Sequence, residues 1–326
     1  MEPFNFSLDD FERAAARVYE VLSPSPQLSW PLLNERTGCD VLVKHENHLP
    51  TGAFKVRGGI CYAGELAREH PETPGVIAAT RGNHGQSVAF SAARHGLAAV
   101  IVVPHGNSRE KNRAMQGYGA ELIEHGRDFD EALVHARALA ESRGLHMFQS
   151  FDPQLVCGVG TYGIELLRAA PDLDAVYVPL GLGSGACGLI AARHALGLQT
   201  EVIAVTAGQA PAYALSFAAG EVCETTSANT LADGLAVRIP HPQALEFMLT
   251  RASRVVTVSE TEILDAMAFY FTDTHNVAEG AAAAALAALL QEKEPMRGKK
   301  IGLILSGGNV DAELFAQALS RGRGEG

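Results

Sequence analysis

One lysine in this chain sits where its amine can lose its proton. Lys55 lies in the run Thr51-Gly52-Ala53-Phe54-Lys55-Val56-Arg57-Gly58, beside an aromatic ring and among small residues that let backbone come close. Poor solvation of such a lysine favours its neutral amine, and a neutral amine attacks an aldehyde and holds it as a Schiff base. Three glycine-containing turns could supply the rest of a site. Thr80-Arg81-Gly82-Asn83-His84-Gly85-Gln86 frees backbone amides at a helix start, which suits a carboxylate. Asn83 both donates and accepts, so it can orient a phenolic oxygen on a ring. Gly181-Leu182-Gly183-Ser184-Gly185-Ala186-Cys187-Gly188 offers amide donors and a helix N-terminus to a phosphate. Its spacing is neither that of an NTPase P-loop nor the dinucleotide fingerprint. Ser306-Gly307-Gly308-Asn309-Val310-Asp311 brings a hydroxyl that could meet a neutral ring nitrogen. Taken singly, Lys55 reads as a solvated surface charge and each turn as ordinary loop chemistry.

The turns need strands before them and helices after them. Val76 to Thr80, Ala98 to Val103 and Glu121 to Ile123 read as strands. They alternate with helical patterns over Gln86 to His95, Ser108 to Met115 and Phe129 to Ser142. Ala175 to Leu180, Val202 to Val205, Val255 to Val258 and Lys300 to Leu305 are further strands, and a helix runs from the 181–188 loop through Ala195. This alternation predicts an α/β fold with parallel sheets covered on both faces. In such sheets ligands collect outside the carboxyl ends of the strands. Met147 to Gly160 is expected to be an irregular crossing between two α/β units, and Gly280 to Leu290 a buried, alanine-rich helix.

Composition narrows the function. The chain has 326 residues, 47% of them hydrophobic, and a net charge of -11, enough for one large or two modest domains. That charge argues against a nucleic-acid partner, which needs clustered Lys and Arg. Five scattered cysteines without a C-x-x-C pair suggest a reduced, cytoplasmic protein. The acidic N-terminus has no signal-peptide pattern. No stretch approaches the roughly 20 apolar residues of a membrane span. The tail Arg321 to Gly326 reads as disordered. His45-Glu46-Asn47-His48 lacks the i,i+4 zincin spacing, so no metal is expected there. Arg109, Lys111, Asn112 and Arg113 read as a solvated helix face, and Glu292-Lys293-Glu294 as a surface turn.

Phe54-Lys55-Val56-Arg57-Gly58, Gly82-Asn83-His84-Gly85-Gln86, the 181–188 loop and Leu305-Ser306-Gly307-Gly308-Asn309 share the order and separations of the pyridoxal-phosphate fold-type II enzymes. From about Leu28 to Leu319 the chain resembles their threonine/serine dehydratase and serine racemase branch; the cysteine synthase branch is less similar at His84 and at the Ser-Gly-Gly-Asn ending. The resemblance implies a tryptophan synthase β-like fold of two open, mostly parallel sheets. It divides the chain into a large cofactor-binding domain (1–73 and 151–326) and a small mobile one (74–150). It implies that pyridoxal 5'-phosphate forms a Schiff base with Lys55. Phe54 packs near the ring, Asn83 contacts the 3-hydroxyl, Gly181, Leu182, Gly183, Ser184 and Gly185 hold the phosphate, and Ser306 meets the pyridine nitrogen. Thr80, Arg81, Gly82 and His84 receive the substrate carboxylate, and Glu279 lies near the cofactor. The implied reaction is β-elimination of water from an amino acid of the L-threonine or L-serine type by a homodimer or homotetramer. Alternatives are a dehydratase for 3-hydroxyaspartate, phenylserine or an ectoine-derived hydroxy acid, an amino-acid racemase, and a non-catalytic binding protein.

Three departures qualify the resemblance. Arg81 stands where serine racemase has its second acid/base, and a guanidinium cannot be a base at neutral pH. Arg81 either pairs with a substrate carboxylate or turns to a neighbouring acid or solvent. Leu182 and Ser184 replace glycines of the phosphate loop. Thr206 and Ala212 stand where the family's divalent-cation site has acidic residues, so no magnesium dependence through that site is expected. With little chain after Asp311, no C-terminal regulatory domain is expected.

Overall fold

In a computed structural model that describes residues 4–321, ten strands form two sheets. The strands are β1 (Gln27–Leu28), β2 (Asp40–His45), β3 (Gly75–Ala79), β4 (Ala98–Val103), β5 (Glu121–Glu124), β6 (His146–Met147), β7 (Ala175–Pro179), β8 (Glu201–Ala207), β9 (Arg254–Val258) and β10 (Lys300–Leu305). Six of them order as β1-β2-β10-β7-β8-β9, and four as β5-β4-β3-β6. Every pairing is parallel except β1 with β2. The strands are Val- and Ile-rich because both faces are covered: all five residues of β3 are buried.

Two helices connect the sheets. Lys55–Glu69 leads out after β2, packing on helix Asn83–Ala93, and Pro153–Ala169 leads back. The second corrects the expectation of an irregular crossing at 147–160. Asp152 accepts the Gln154 amide at 2.7 Å as N-cap, and Pro153 stands in the first turn, where its missing N–H costs nothing. Helix Gly280–Gln291 is buried from Gly280 to Leu289, its alanines letting it lie close under β7, β8, β9 and β10. Arg321 closes the last helix, Ala312–Arg321, bonded to Asp265, and the rest of the tail read as disordered lies outside the described residues.

Candidate active site

The lysine loop and the Ser306 turn, some 250 residues apart, are joined along their backbones. The Phe54 amide donates to Ser306 O at 3.0 Å and the Gly308 amide to Gly52 O at 2.9 Å, while Ala53 bridges Gly307. Gly52 is left-handed (φ 66°) and lies against Asn309, which a Cβ would meet at 2.5 Å. Lys55 begins its helix with Nζ 4.8 Å from the centre of the Phe54 ring. Phe54 meets Tyr162 edge-on, and Tyr162 Oη donates to Gly185 O at 2.8 Å, which ties the lysine to the 181–188 loop. Lys55 is half-buried. Burial lowers its pKa, opposed by the charge of Glu279.

Two residues along the helix, Arg57 is fully buried between two carboxylates. It donates to Glu46 (2.7 and 2.9 Å) and to Glu165 (2.6 and 3.0 Å), and Glu165 also pairs with the buried Lys44. The network anchors the start of the lysine helix, and it explains part of the His45–His48 segment. Glu46 belongs to Arg57, and His45 accepts the Trp30 indole N–H at 3.1 Å. No cluster of three or more His, Cys, Asp or Glu suited to a metal ion occurs among the described residues.

Turn 80–86 follows β3. Thr80 is buried and its Oγ1 accepts the Gly82 amide at 3.1 Å, so its side chain shapes the turn. Asn83 Nδ2 donates to both Glu279 oxygens (2.8 and 3.0 Å), and its Oδ1 accepts from Asn309 Nδ2 at 2.8 Å. Glu279 is the N-cap of helix Gly280–Gln291; burial raises its pKa against the pull of Lys111 and Asn83. Burial, then the charge of Lys55, drives the His84 pKa down to about 3, so this imidazole is neutral. Its Nε2 is buried without a protein partner.

Arg81 is exposed, its guanidinium 3.7 Å from Asp233, whose other oxygen accepts from Lys111 Nζ at 2.7 Å. It thus turns to a neighbouring acid. Lys111 and Asn112 correct the expected solvated helix face. Lys111 lies against Gly82, Asn112 is buried and accepts from Asn107, and only Arg109 and Arg113 are exposed. Glu292 likewise does not sit in a free surface turn: it accepts from Tyr177 Oη at 2.5 Å and from Arg254.

The phosphate-loop candidate follows β7 and opens helix Ser184–Ala195. The first four amides of a helix have no intrahelical acceptor, so Ser184 and Gly185 present donors here. A Cβ on Gly181 would stand 2.1 Å from Gly234 O, and Gly183 has φ 116°. Ser306 is buried at the carboxyl end of β10.

Residues 18–307 match the family described as pyridoxal-phosphate dependent enzyme. The chain belongs to that family. The site fits the cofactor: an amine whose pKa burial lowers for the aldehyde, free amides at a helix N-terminus for the phosphate, and an imidazole nitrogen without a protein partner. The chain is 33% identical to the L-threonine ammonia-lyase of Thermotoga maritima over 97% of its own length and 79% of that protein. It is also 33% identical to the L-threo-3-hydroxyaspartate ammonia-lyase of Saccharomyces cerevisiae, over 94% of each. A pyridoxal 5'-phosphate-dependent aspartate racemase superposes with a TM-score of 0.90 at 29% identity, covering 96% of this chain and 98% of that one. The fold class and the cofactor expected from the sequence stand.

Three residues of this site carry no role that their sequence surroundings reveal. Asn309 was visible within the Ser-Gly-Gly-Asn run without a role. Lys111 looked like a surface charge. Asp233 carries no local signal, because its importance comes from the two cations that converge on it.

Proposed function

We propose that this chain is an ammonia-lyase that eliminates water from a β-hydroxy amino acid of the L-threonine or L-serine kind, releasing a 2-oxo acid and ammonia. The observation that carries the reading is Lys55 Nζ, its pKa lowered by burial, at the meeting of three ligand-binding turns. Lys55, Phe54, Asn83, the 181–185 amides and Ser306 would hold pyridoxal phosphate, which when bound supplies an electron sink for charge left at Cα. Lys55 Nζ, its ammonium form disfavoured by burial, takes the Cα proton as general base. Gly82 and His84 receive the substrate carboxylate, and His84, whose pKa burial lowers to about 3, is too weak a base to compete for that proton. Arg81 cannot act as a second base, which disfavours racemisation.

A second reading has one observation in its favour. The Arg81 guanidinium is exposed and holds Asp233 only at 3.7 Å, which leaves it free to meet the distal carboxylate of a substrate such as 3-hydroxyaspartate. A panel of L-threonine, L-serine, 3-hydroxyaspartate and phenylserine, scored for 2-oxo acid and for chiral inversion, tests both readings. Threonine and serine turnover without inversion supports the first. If Arg81→Ala lowers kcat/KM equally for monocarboxylic and dicarboxylic substrates, the second fails. Under the same reading residues 74–150 form a small mobile domain on a large domain of 1–73 and 151–326, and the enzyme works in the cytoplasm as a homodimer or homotetramer. Light scattering in solution tests the assembly.

A further inference from the structure

We propose that Asn309 is a positioning residue: it fixes the orientation of the Asn83 amide, so that Asn83 presents an N–H rather than a carbonyl oxygen to the cofactor's phenolic oxygen. The inference rests on the cofactor site proposed above.

A chain of hydrogen bonds decides which way each amide points. An amide's oxygen and nitrogen look alike in shape, so the network has to tell them apart. It starts at the carbonyl of Thr51, which only accepts. The Asn309 atom facing it at 2.8 Å must therefore be Nδ2. The same Nδ2 lies 2.8 Å from the Asn83 amide, so the Asn83 atom it meets must be Oδ1. That turns Asn83 Nδ2 toward Glu279, whose two oxygens stand at 2.8 and 3.0 Å and accept from it. Every link agrees: carbonyl, amide, amide, carboxylate. The two Glu279 oxygens lie too close together to be met by two diverging N–H bonds, so one N–H is shared between them. The second is left over for the site. Flipping Asn83 alone would set oxygen against carboxylate and nitrogen against nitrogen.

The scaffold makes Asn309 hard to replace. Its Oδ1 rests against Gly52, where a Cβ would stand 2.5 Å away, and the Gly308 amide holds the turn on Gly52 O. Asn309 thus reads the lysine loop and transmits its polarity to Asn83, on the other sheet's turn.

The test titrates apoenzyme with pyridoxal phosphate and follows the visible spectrum of the holoenzyme against pH. Asn309→Asp keeps the shape but cannot donate to Thr51 O or Asn83 Oδ1. It is expected to weaken cofactor affinity by about tenfold or more and to shift the pH at which the spectrum changes. In an Asn83→Ala background the same substitution should change affinity by less than about twofold, because its effect runs through Asn83. Should Asn309→Asp not fold, Asn309→Ala carries the same expectations in both backgrounds. Equal losses with and without Asn83, or an unshifted spectrum, would overturn the inference. If Asn83→Ala alone leaves affinity and spectrum unchanged, the site assignment itself falls, and this inference with it.

Discussion

Replacing single glycines of the 181–185 loop by alanine separates steric close approach from simple loop chemistry. In Gly181→Ala the new methyl would stand 2.1 Å from the backbone oxygen of Gly234, against roughly 3.5 Å for favourable nonbonded contact. One segment must move by about 1 Å or more, and the obstacle is a carbonyl that no rotamer change can clear. Overpacking of this kind costs roughly 1–3 kcal/mol, and a rigid backbone obstacle places this case at the upper end. For a chain of this length that corresponds to a fall in Tm of roughly 4–5 °C. Gly183→Ala should lose a similar amount, because φ 116° is strained for alanine and its methyl would meet Ala244 at 2.7 Å. Gly185→Ala is the internal control: its methyl would reach Phe54 at 3.5 Å, an ordinary contact, so the apoenzyme should keep its Tm within about 1 °C. Calorimetry on the three apoenzymes, with pyridoxal phosphate titrations alongside, reads the order. A Gly181→Ala apoenzyme as stable as wild type, or a Gly185→Ala apoenzyme as damaged as the other two, would refute the steric reasoning.

Lys55→Met should abolish the visible absorbance of the bound cofactor yet stabilise the apoenzyme. Burial lowers the folded pKa of Lys55, so between that value and the ordinary lysine range the unfolded chain binds more protons and stability rises with pH. Apoenzyme Tm followed over roughly pH 7–10 should therefore rise less steeply in the variant; identical slopes would mean that Lys55 is not desolvated. Arg57→Met strands Glu46 without its buried cation and leaves Glu165 with Lys44 alone, and should cost about 3–5 kcal/mol by urea unfolding. A loss under 1 kcal/mol would show that the network is not the anchor of the lysine helix. Glu165 has its pKa lowered: burial pushes it up, but the Arg57 and Lys44 charges outweigh that. Its stabilisation is present above the unfolded carboxylate range and is lost as pH falls through the folded value, so Glu165→Gln should flatten the acid limb of stability.

The sheets were legible because doubly covered strands need unbroken Val and Ile runs, as in β3 and β4. The two-residue strands β1 and β6 have no such run. Helix Pro153–Ala169 was hidden for a different reason: Gly158, Gly160 and Gly163 look like breakers. Their small size serves packing, since a Cβ on Gly158 would stand 2.8 Å from Arg57 O and one on Gly160 2.9 Å from Gly188 O. The helix runs directly behind both the lysine helix and helix Ser184–Ala195. Within the site, Lys55, Asn83 and Ser306 announce themselves through their neighbours in sequence. Lys111 and Asp233, 122 residues apart, become a pair only through the fold.

The backbone bridge between Ala53 and Gly307 also orders events in time. A chain emerging from the ribosome presents Lys55 early, but β10 and the turn that completes its pocket arrive almost 250 residues later. Until then β2 lacks its parallel neighbour, and no cofactor can reward partial folding. For most of its synthesis the nascent protein carries an unpaired, apolar strand edge beside Lys55. Cofactor supply should therefore protect the finished enzyme from unfolding without improving the yield of its first folding.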